Sequence, residues 1–329
     1  MTEPNRQSQL TNEQIDSVLS LYSNGQYQDA INQIKVLNKN HPNVPFLFNL
    51  VGACYKALGQ IESSVQMFEM AVKIKPDYAE ALKNLGITLR SLGQMDKAVA
   101  NLKKAISADS HYIDAHYNLA ITLKDMGHLN DSVESYQKAI DLNPNFAHAH
   151  NNLGNVFKDL DRIDDAIISY KKALEIDPNF ANAHNNLGNA FKDLDLTEDA
   201  VKSYKRAIEI QPNFAEAHNN LGNIFKDFRS SDNAIKCYKK AIEINENFAE
   251  AYYNLGVTLR QIKNLDLAVK NLQRAISIKP NYAEAFNNLG SCYTMLGEIN
   301  SAIDCYEKAI FIKPDYAEAH NSLGNIFNI

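Results

Sequence analysis

Residues 147–180 read AHAHNNLGNVFKDLDRIDDAIISYKKALEIDPNF, and residues 181–214 read ANAHNNLGNAFKDLDLTEDAVKSYKRAIEIQPNF. The two blocks agree at 24 of 34 positions. Such self-similarity at a fixed period marks stacked supersecondary units, none of which can bury its apolar face alone. The same frame extends in both directions. Gly52, Gly86, Gly154, Gly188, Gly222, Gly256, Gly290 and Gly324 lie on one 34-residue lattice, with Ala120 in the one gap. Pro42, Pro76, Pro144, Pro178, Pro212, Pro280 and Pro314 lie on a second line of it, broken by Ser110 and Glu246.

We number each repeat from 1 to 34, starting at Thr11. Repeats then run 11–44, 45–78, 79–112, 113–146, 147–180, 181–214, 215–248, 249–282 and 283–316, with a partial repeat at 317–329. Residues 1–10 are expected to form a disordered tail. Each repeat is expected to hold two antiparallel helices, A at about positions 1–14 and B at about 18–31. Small residues at 8, 20 and 27 let helix backbones approach, and aromatic residues at 11, 24 and 34 fill the space beside them. Gly25, Gly59, Gly93, Gly127 and Gly297 suit a left-handed helix end in the A–B turn. Asp161, Asp195, Arg229 and Lys263 replace glycine there, with backbone strain expected. Proline at 32 stops helix B. Asp77-x-x-Glu80, Asn213-x-x-Glu216, Asn247-x-x-Glu250, Asn281-x-x-Glu284 and Asp315-x-x-Glu318 have the spacing of a capping box.

Leu187-Gly188, Phe191, Ala200, Tyr204, Ala207 and Pro212 together resemble the tetratricopeptide pattern. The resemblance spans residues 11–329 and departs in the first repeat, where Ser17-Val18 replaces Leu-Gly and Leu37 replaces Ala. It implies an all-α fold, a right-handed superhelical solenoid of antiparallel helix pairs with helix A on the concave side. Positions 2, 5, 6, 9, 12 and 13 of helix A share one face.

Position 6 of that face is Asn84, Asn118, Asn152, Asn186, Asn220, Asn254 and Asn288. Position 5 is Asn151, Asn185, Asn219, Asn287 and Asn321, and position 9 is Asn155, Asn189, Asn223 and Asn325. An amide both donates and accepts, so a column of amides can hold a peptide backbone without reading side chains. The column resembles the asparagine ladder of O-linked N-acetylglucosamine transferases, which implies an extended-peptide ligand. The alternative is that some of these amides bond the neighbouring repeat and only set the stacking. Position 12 is basic seven times running: Lys56, Arg90, Lys124, Lys158, Lys192, Lys226 and Arg260. This stripe either meets ligand carboxylates or is a solvated face, with Asp125, Asp159, Asp193 and Asp227 beside it. The acids at position 2 are assigned to helix capping. The basic residues that a two-carboxylate chaperone clamp needs at positions 2, 5 and 6 are mostly Asn and Glu here.

His116, His150, His184, His218 and His320 recur at position 4. Successive helices about 8–10 Å apart are too far for such histidines to share a zinc ion. Packed or half-exposed histidines are expected. Lys+Arg number 33 against Asp+Glu 39, for a net charge of −6, which leaves no electrostatic footprint for nucleic acid or an anionic membrane. No apolar run reaches the roughly 20 residues of a spanning helix. Four scattered cysteines read as reduced thiols, and a cytoplasmic location is expected. No phosphate loop or hydrolase motif is present, and every prominent residue has a copy 34 residues away, whereas a catalytic site is singular.

The expected function is therefore a non-catalytic, cofactor-free scaffold whose partner is an extended polypeptide in the asparagine-lined groove. A second expectation is the substrate-targeting arm of a larger transferase or oxygenase. Leu323, Ile326 and Phe327 belong to a helix A without a helix B, so self-association through uncapped ends is a third.

Overall fold

The computed structural model describes residues 10–327. Every regular element among them is an α-helix, and the helices come in pairs on the 34-residue lattice. The chain divides into two compact units, residues 1–172 and 173–329, and the division falls inside a helix.

The first unit holds α1 (Asn12–Ser23), α2 (Tyr27–Asn40), α3 (Pro45–Ala57), α4 (Ile61–Ile74), α5 (Ala79–Ser91), α6 (Met95–Ala108), α7 (Ile113–Asp125), α8 (Leu129–Leu142) and α9 (Ala147–Asp159), with α10 (Ile163–Ile176) crossing the division. The second holds α11 (Ala181–Asp193), α12 (Thr197–Ile210), α13 (Ala215–Asp227), α14 (Ser231–Ile244), α15 (Ala249–Gln261), α16 (Leu265–Ile278), α17 (Ala283–Leu296), α18 (Ile299–Ile312) and α19 (Ala317–Phe327). Helix A typically spans positions 1–13 and helix B 17–30, so helix B starts one residue earlier than the sequence suggests. The expected tail at 1–10 lies outside the described residues apart from Leu10, which packs on the first repeat's core.

The glycine lattice has a steric cause. A Cβ at Gly188 would stand 2.7 Å from the ring of Tyr204 on the paired helix, and one at Gly86 would stand 2.7 Å from Leu102. Position 8 is thus where helix A lies against the position-24 side chain of helix B. Tyr204, Leu102 and Leu272 are fully buried there, each worth about 1.5–3 kcal/mol of apolar burial for a leucine-sized side chain. Ala at positions 20 and 27 is fully buried in repeat after repeat, as at Ala200 and Ala207. Ser64 and Ser132 replace alanine at position 20, and each donates its hydroxyl to the position-8 carbonyl, of Gly52 and Ala120, at 2.7 Å. The divergent first repeat builds the same core from Val18, Ile34 and Leu37, all buried.

The A–B turn takes the left-handed conformation in every repeat. Asp161, Asp195, Arg229 and Lys263 hold φ of 59°, 57°, 55° and 62° where other repeats use glycine. A side chain in this region costs about 1–2 kcal/mol, so these four turns are strained.

The capping boxes expected at Asp77, Asn213, Asn247 and Asn281 do not form. α5, α13, α15 and α17 take Tyr78, Phe214, Phe248 and Tyr282 as N-cap residues, with no side-chain cap bond. The position-34 aromatic fills the space between repeats, and where its backbone N–H closes a turn onto position 31, as Tyr78 does on Lys75, the helix begins after it. Asp109, Asn143, Asp177 and Asn245 brace that turn by accepting the position-33 N–H. α1 does carry a capping box, between Thr11 and Gln14. The position-2 acids therefore lose their capping role. They stand in first helical turns, where the helix dipole favours them, and Glu250 accepts from Asn219 at 3.3 Å.

Candidate functional site

Within the first unit, the Asn84 amide nitrogen donates to Asn49 Oδ1 at 3.0 Å, and Asn152 donates to the Tyr117 hydroxyl at 2.9 Å. In the second, Asn220 donates to Asn185 at 3.1 Å, Asn254 to Asn219 at 3.0 Å, and Asn288 to the Tyr253 hydroxyl at 3.3 Å. Each bond joins position 6 to position 5 of the preceding repeat, 35 residues back. Position 5 is the acceptor in all these cases, which is the stacking alternative that the sequence left open. Lys83 has no acceptor to offer, and Asn118 accordingly turns back to the Asp114 carbonyl at 2.7 Å.

Asn151, Asn185 and Asn219 are buried, at 5%, 7% and 1% exposure; Asn151 donates to Asn152 Oδ1 at 3.2 Å, while Asn185 and Asn219 are held by the following repeat. Asn287 is buried as well, and its Oδ1 has no partner. The donor due from position 6 of the next repeat is replaced by Ser322, whose side chain is shorter.

Position 9 is held from behind. The hydroxyls of Tyr170, Tyr204 and Tyr238 donate to Oδ1 of Asn155, Asn189 and Asn223, each at 2.8 Å. The amide nitrogens are thereby turned away from the tyrosines, each with two N–H donors. Asn155, Asn189 and Asn223 are half-buried, as are Asn84, Asn118, Asn152, Asn186 and Asn220; Asn254 and Asn288 are buried. Burial of Tyr204 and Tyr238 pushes their hydroxyls well above the ordinary phenol value, so both remain donors.

The basic stripe makes a second 35-residue ladder. Arg90 approaches Asp125 at 4.0 Å and Lys124 approaches Asp159 at 3.2 Å, all partly exposed. Exposed pairs of this kind are worth about 0–1 kcal/mol. Arg260 donates to Ser291 at 3.2 Å. Lys158 and Lys226 are half-buried and Lys192 is exposed.

The position-4 histidines have a structural partner. Nε2 lies 3.1 Å from the Ser110, Pro144, Pro178 and Pro212 carbonyls at His116, His150, His184 and His218, and 2.8 Å from Pro314 at His320. A carbonyl only accepts, so Nε2 carries the proton and each ring pins the turn that precedes its helix. Among the described residues no cluster of three His, Cys, Asp or Glu could hold a metal ion, and no helix is long and apolar enough to cross a membrane.

The tetratricopeptide repeat family matches residues 47–78, 86–127, 122–161, 154–195, 197–227, 231–262 and 247–315. The chain belongs to the tetratricopeptide repeat family. This tetratricopeptide array has no match among curated proteins. It is similar to solved structures of the same repeat type. Pseudomonas aeruginosa pilF aligns at 19% identity over 65% of this chain and 97% of its own, with a TM-score of 0.59. The Cut9–Hcn1 hetero-tetramer of the APC/C aligns at 16% identity over 91% of this chain and 58% of its own, with a TM-score of 0.63. YrrB, described as a TPR protein with an unusual peptide-binding site, aligns at 27% identity over 58% of this chain and 98% of its own, with a TM-score of 0.48. The first two likenesses establish the helix-pair fold.

Proposed function

We propose that this tetratricopeptide array is a protein-binding scaffold that holds extended polypeptide along the helix-A faces of its repeats. The observation that carries this reading is the fixed orientation of the position-9 amides. Asn155, Asn189 and Asn223 recur at one register, half-buried, each with its oxygen engaged by a buried tyrosine and its N–H donors left over. Such recurring donors, Asn189 and Asn223 within the second unit and Asn155 in the first, suit backbone carbonyls, which every polypeptide has. The position-6 amides are spent on stacking instead: Asn152 donates to Tyr117 and accepts from Asn151, and Asn220 donates to both Asn185 and Asn189. Lys192 and Lys226 flank this column and favour acidic side chains. The role is one of holding, with no catalytic step in it.

The test is the triple variant N155D/N189D/N223D against an array of short uncharged peptides. A carboxylate still accepts the tyrosine hydroxyl but cannot donate. Binding weakened about tenfold with unchanged helicity supports the reading; undiminished binding overturns it.

A further inference from the structure

The amide column gives way near the N-terminal end of the first unit. Position 6 becomes Asp16 and Leu50 and position 9 becomes Leu19 and Ala53 in the first two repeats, and a pocket of about 610 Å³, lined in part by the bonded Asn49–Asn84 pair, opens between α1, α3 and α5. Its walls include Leu19, Tyr22, Phe46 and Leu50, with Lys56, Lys83 and Glu80 also lining it. The volume lies in the range of ligand pockets, about 300–1,000 Å³.

The cations at this pocket are short of partners. Neither Lys56 nor Lys83 belongs to an ion pair among the described residues; the Lys83 ammonium lies over the Tyr112 ring at 5.6 Å. Arg90, close enough to act on Lys56, meets Asp125 only at 4.0 Å and leaves Nη1 buried without an acceptor. Burial, Lys83 and Arg90 together hold the Lys56 ammonium below its ordinary value of 10.5. Glu80 is the one acid at the lining, and the Tyr78 hydroxyl lies 3.4 Å from it. A half-buried lysine pressed by two like charges is relieved by an incoming carboxylate.

We propose that this pocket seats one large apolar side chain of a bound polypeptide, while Lys56 and Lys83 meet the carboxylate of an adjacent acidic residue. This rests on the polypeptide-holding role and adds to it a side-chain-reading site at one end of a face that otherwise reads backbone. The choice of occupant follows from the lining: an aliphatic and aromatic floor selects the apolar group, and the unpaired ammonium groups select the anion.

The experiment is calorimetric titration of the full chain with capped glycine–serine peptides carrying Phe-Asp, Phe-Asn, Ala-Asp or Ala-Asn at their centre. Phe-Asp is expected to bind about tenfold tighter than either single change. The variant K56Q/K83Q should reduce Phe-Asp to the level of Phe-Asn. Leu19→Asn, at a partly exposed site on the wall, should weaken Phe-Asp and Phe-Asn alike. Equal binding of Phe-Asp and Phe-Asn, or of Phe-Asp and Ala-Asp, overturns the proposal. So does 3-phenylpropionate binding as tightly as the Phe-Asp peptide, which would mark a small-molecule anion site. The N155D/N189D/N223D variant separates the two readings. If it leaves uncharged peptides bound while the Phe-Asp preference persists, the amide column fails and the pocket stands. If it weakens uncharged peptides while wild type shows no Phe-Asp preference, the pocket fails alone.

Discussion

The hydroxyl of Tyr204 donates to Asn189 Oδ1 at 2.8 Å, and the same oxygen accepts the Asn220 amide nitrogen at 3.2 Å. One amide oxygen thus joins helix A to helix B within a repeat and to helix A of the next.

The two ends of that bond are not equivalent. Tyr204 is fully buried, so Asn189→Ala strands a hydroxyl and should cost about 1–3 kcal/mol. Tyr204→Phe leaves Asn189 with its second donor and should cost less, about 0.5–1.5 kcal/mol. The double variant should lose less than the two costs added together. Urea unfolding of the three variants measures this coupling, and strict additivity would contradict it.

A missing bond gives the converse expectation. Asn287 Oδ1 is buried without a donor because Ser322 stands where an asparagine belongs. Ser322→Asn should restore the ladder and stabilise α19 against α17 by about 1 kcal/mol. Slower amide exchange in α19 is the readout.

The left-handed turns offer a third test. Arg229→Gly and Lys263→Gly should each stabilise by about 1 kcal/mol, since φ of 55° and 62° strains any side chain. Gly93→Ala should destabilise by a similar amount. A Cβ there meets nothing within 4 Å, so backbone strain alone accounts for the loss. Thermal melts decide the sign.

Burial, ahead of the neighbouring Arg206 charge at His184 and Lys240 charge at His218, holds both imidazoles below their ordinary value of 6.5. The fold favours the neutral ring, and the unfolded chain takes up protons first. The stabilisation is therefore intact above 6.5 and is lost as pH falls through the lower folded values. Urea midpoints should drop on the acid side of 6.5, with a shallower drop in H184Q/H218Q.

The repeat lattice and the all-helical architecture were legible because sterics recur: the lattice glycines from Gly52 to Gly290 each answer a ring or leucine across the pair, as Gly188 answers Tyr204. Helix starts were misread at Asp77 and its equivalents, since the turn-closing aromatic at position 34 outranks the Asx-x-x-Glu spacing as a boundary. The amides were visible as residues, and their bonding to the neighbouring repeat was one of two alternatives that the sequence left open. Whether Asn220 faces a ligand or Asn185 depends on the rotation between repeats, which no single repeat encodes. The N-terminal pocket escaped notice because it is a departure from the period, and the period drew attention to what recurs.

The 35-residue offset carries an evolutionary consequence. Deleting residues 215–248 would bring Asn254 to the place of Asn220, opposite Asn185, and the bond would form again. Duplicating the same block would add a rung without orphaning a donor. Array length is therefore free to change by unequal recombination in whole units, so a lineage can lengthen or shorten its grip on a partner without inventing a new contact.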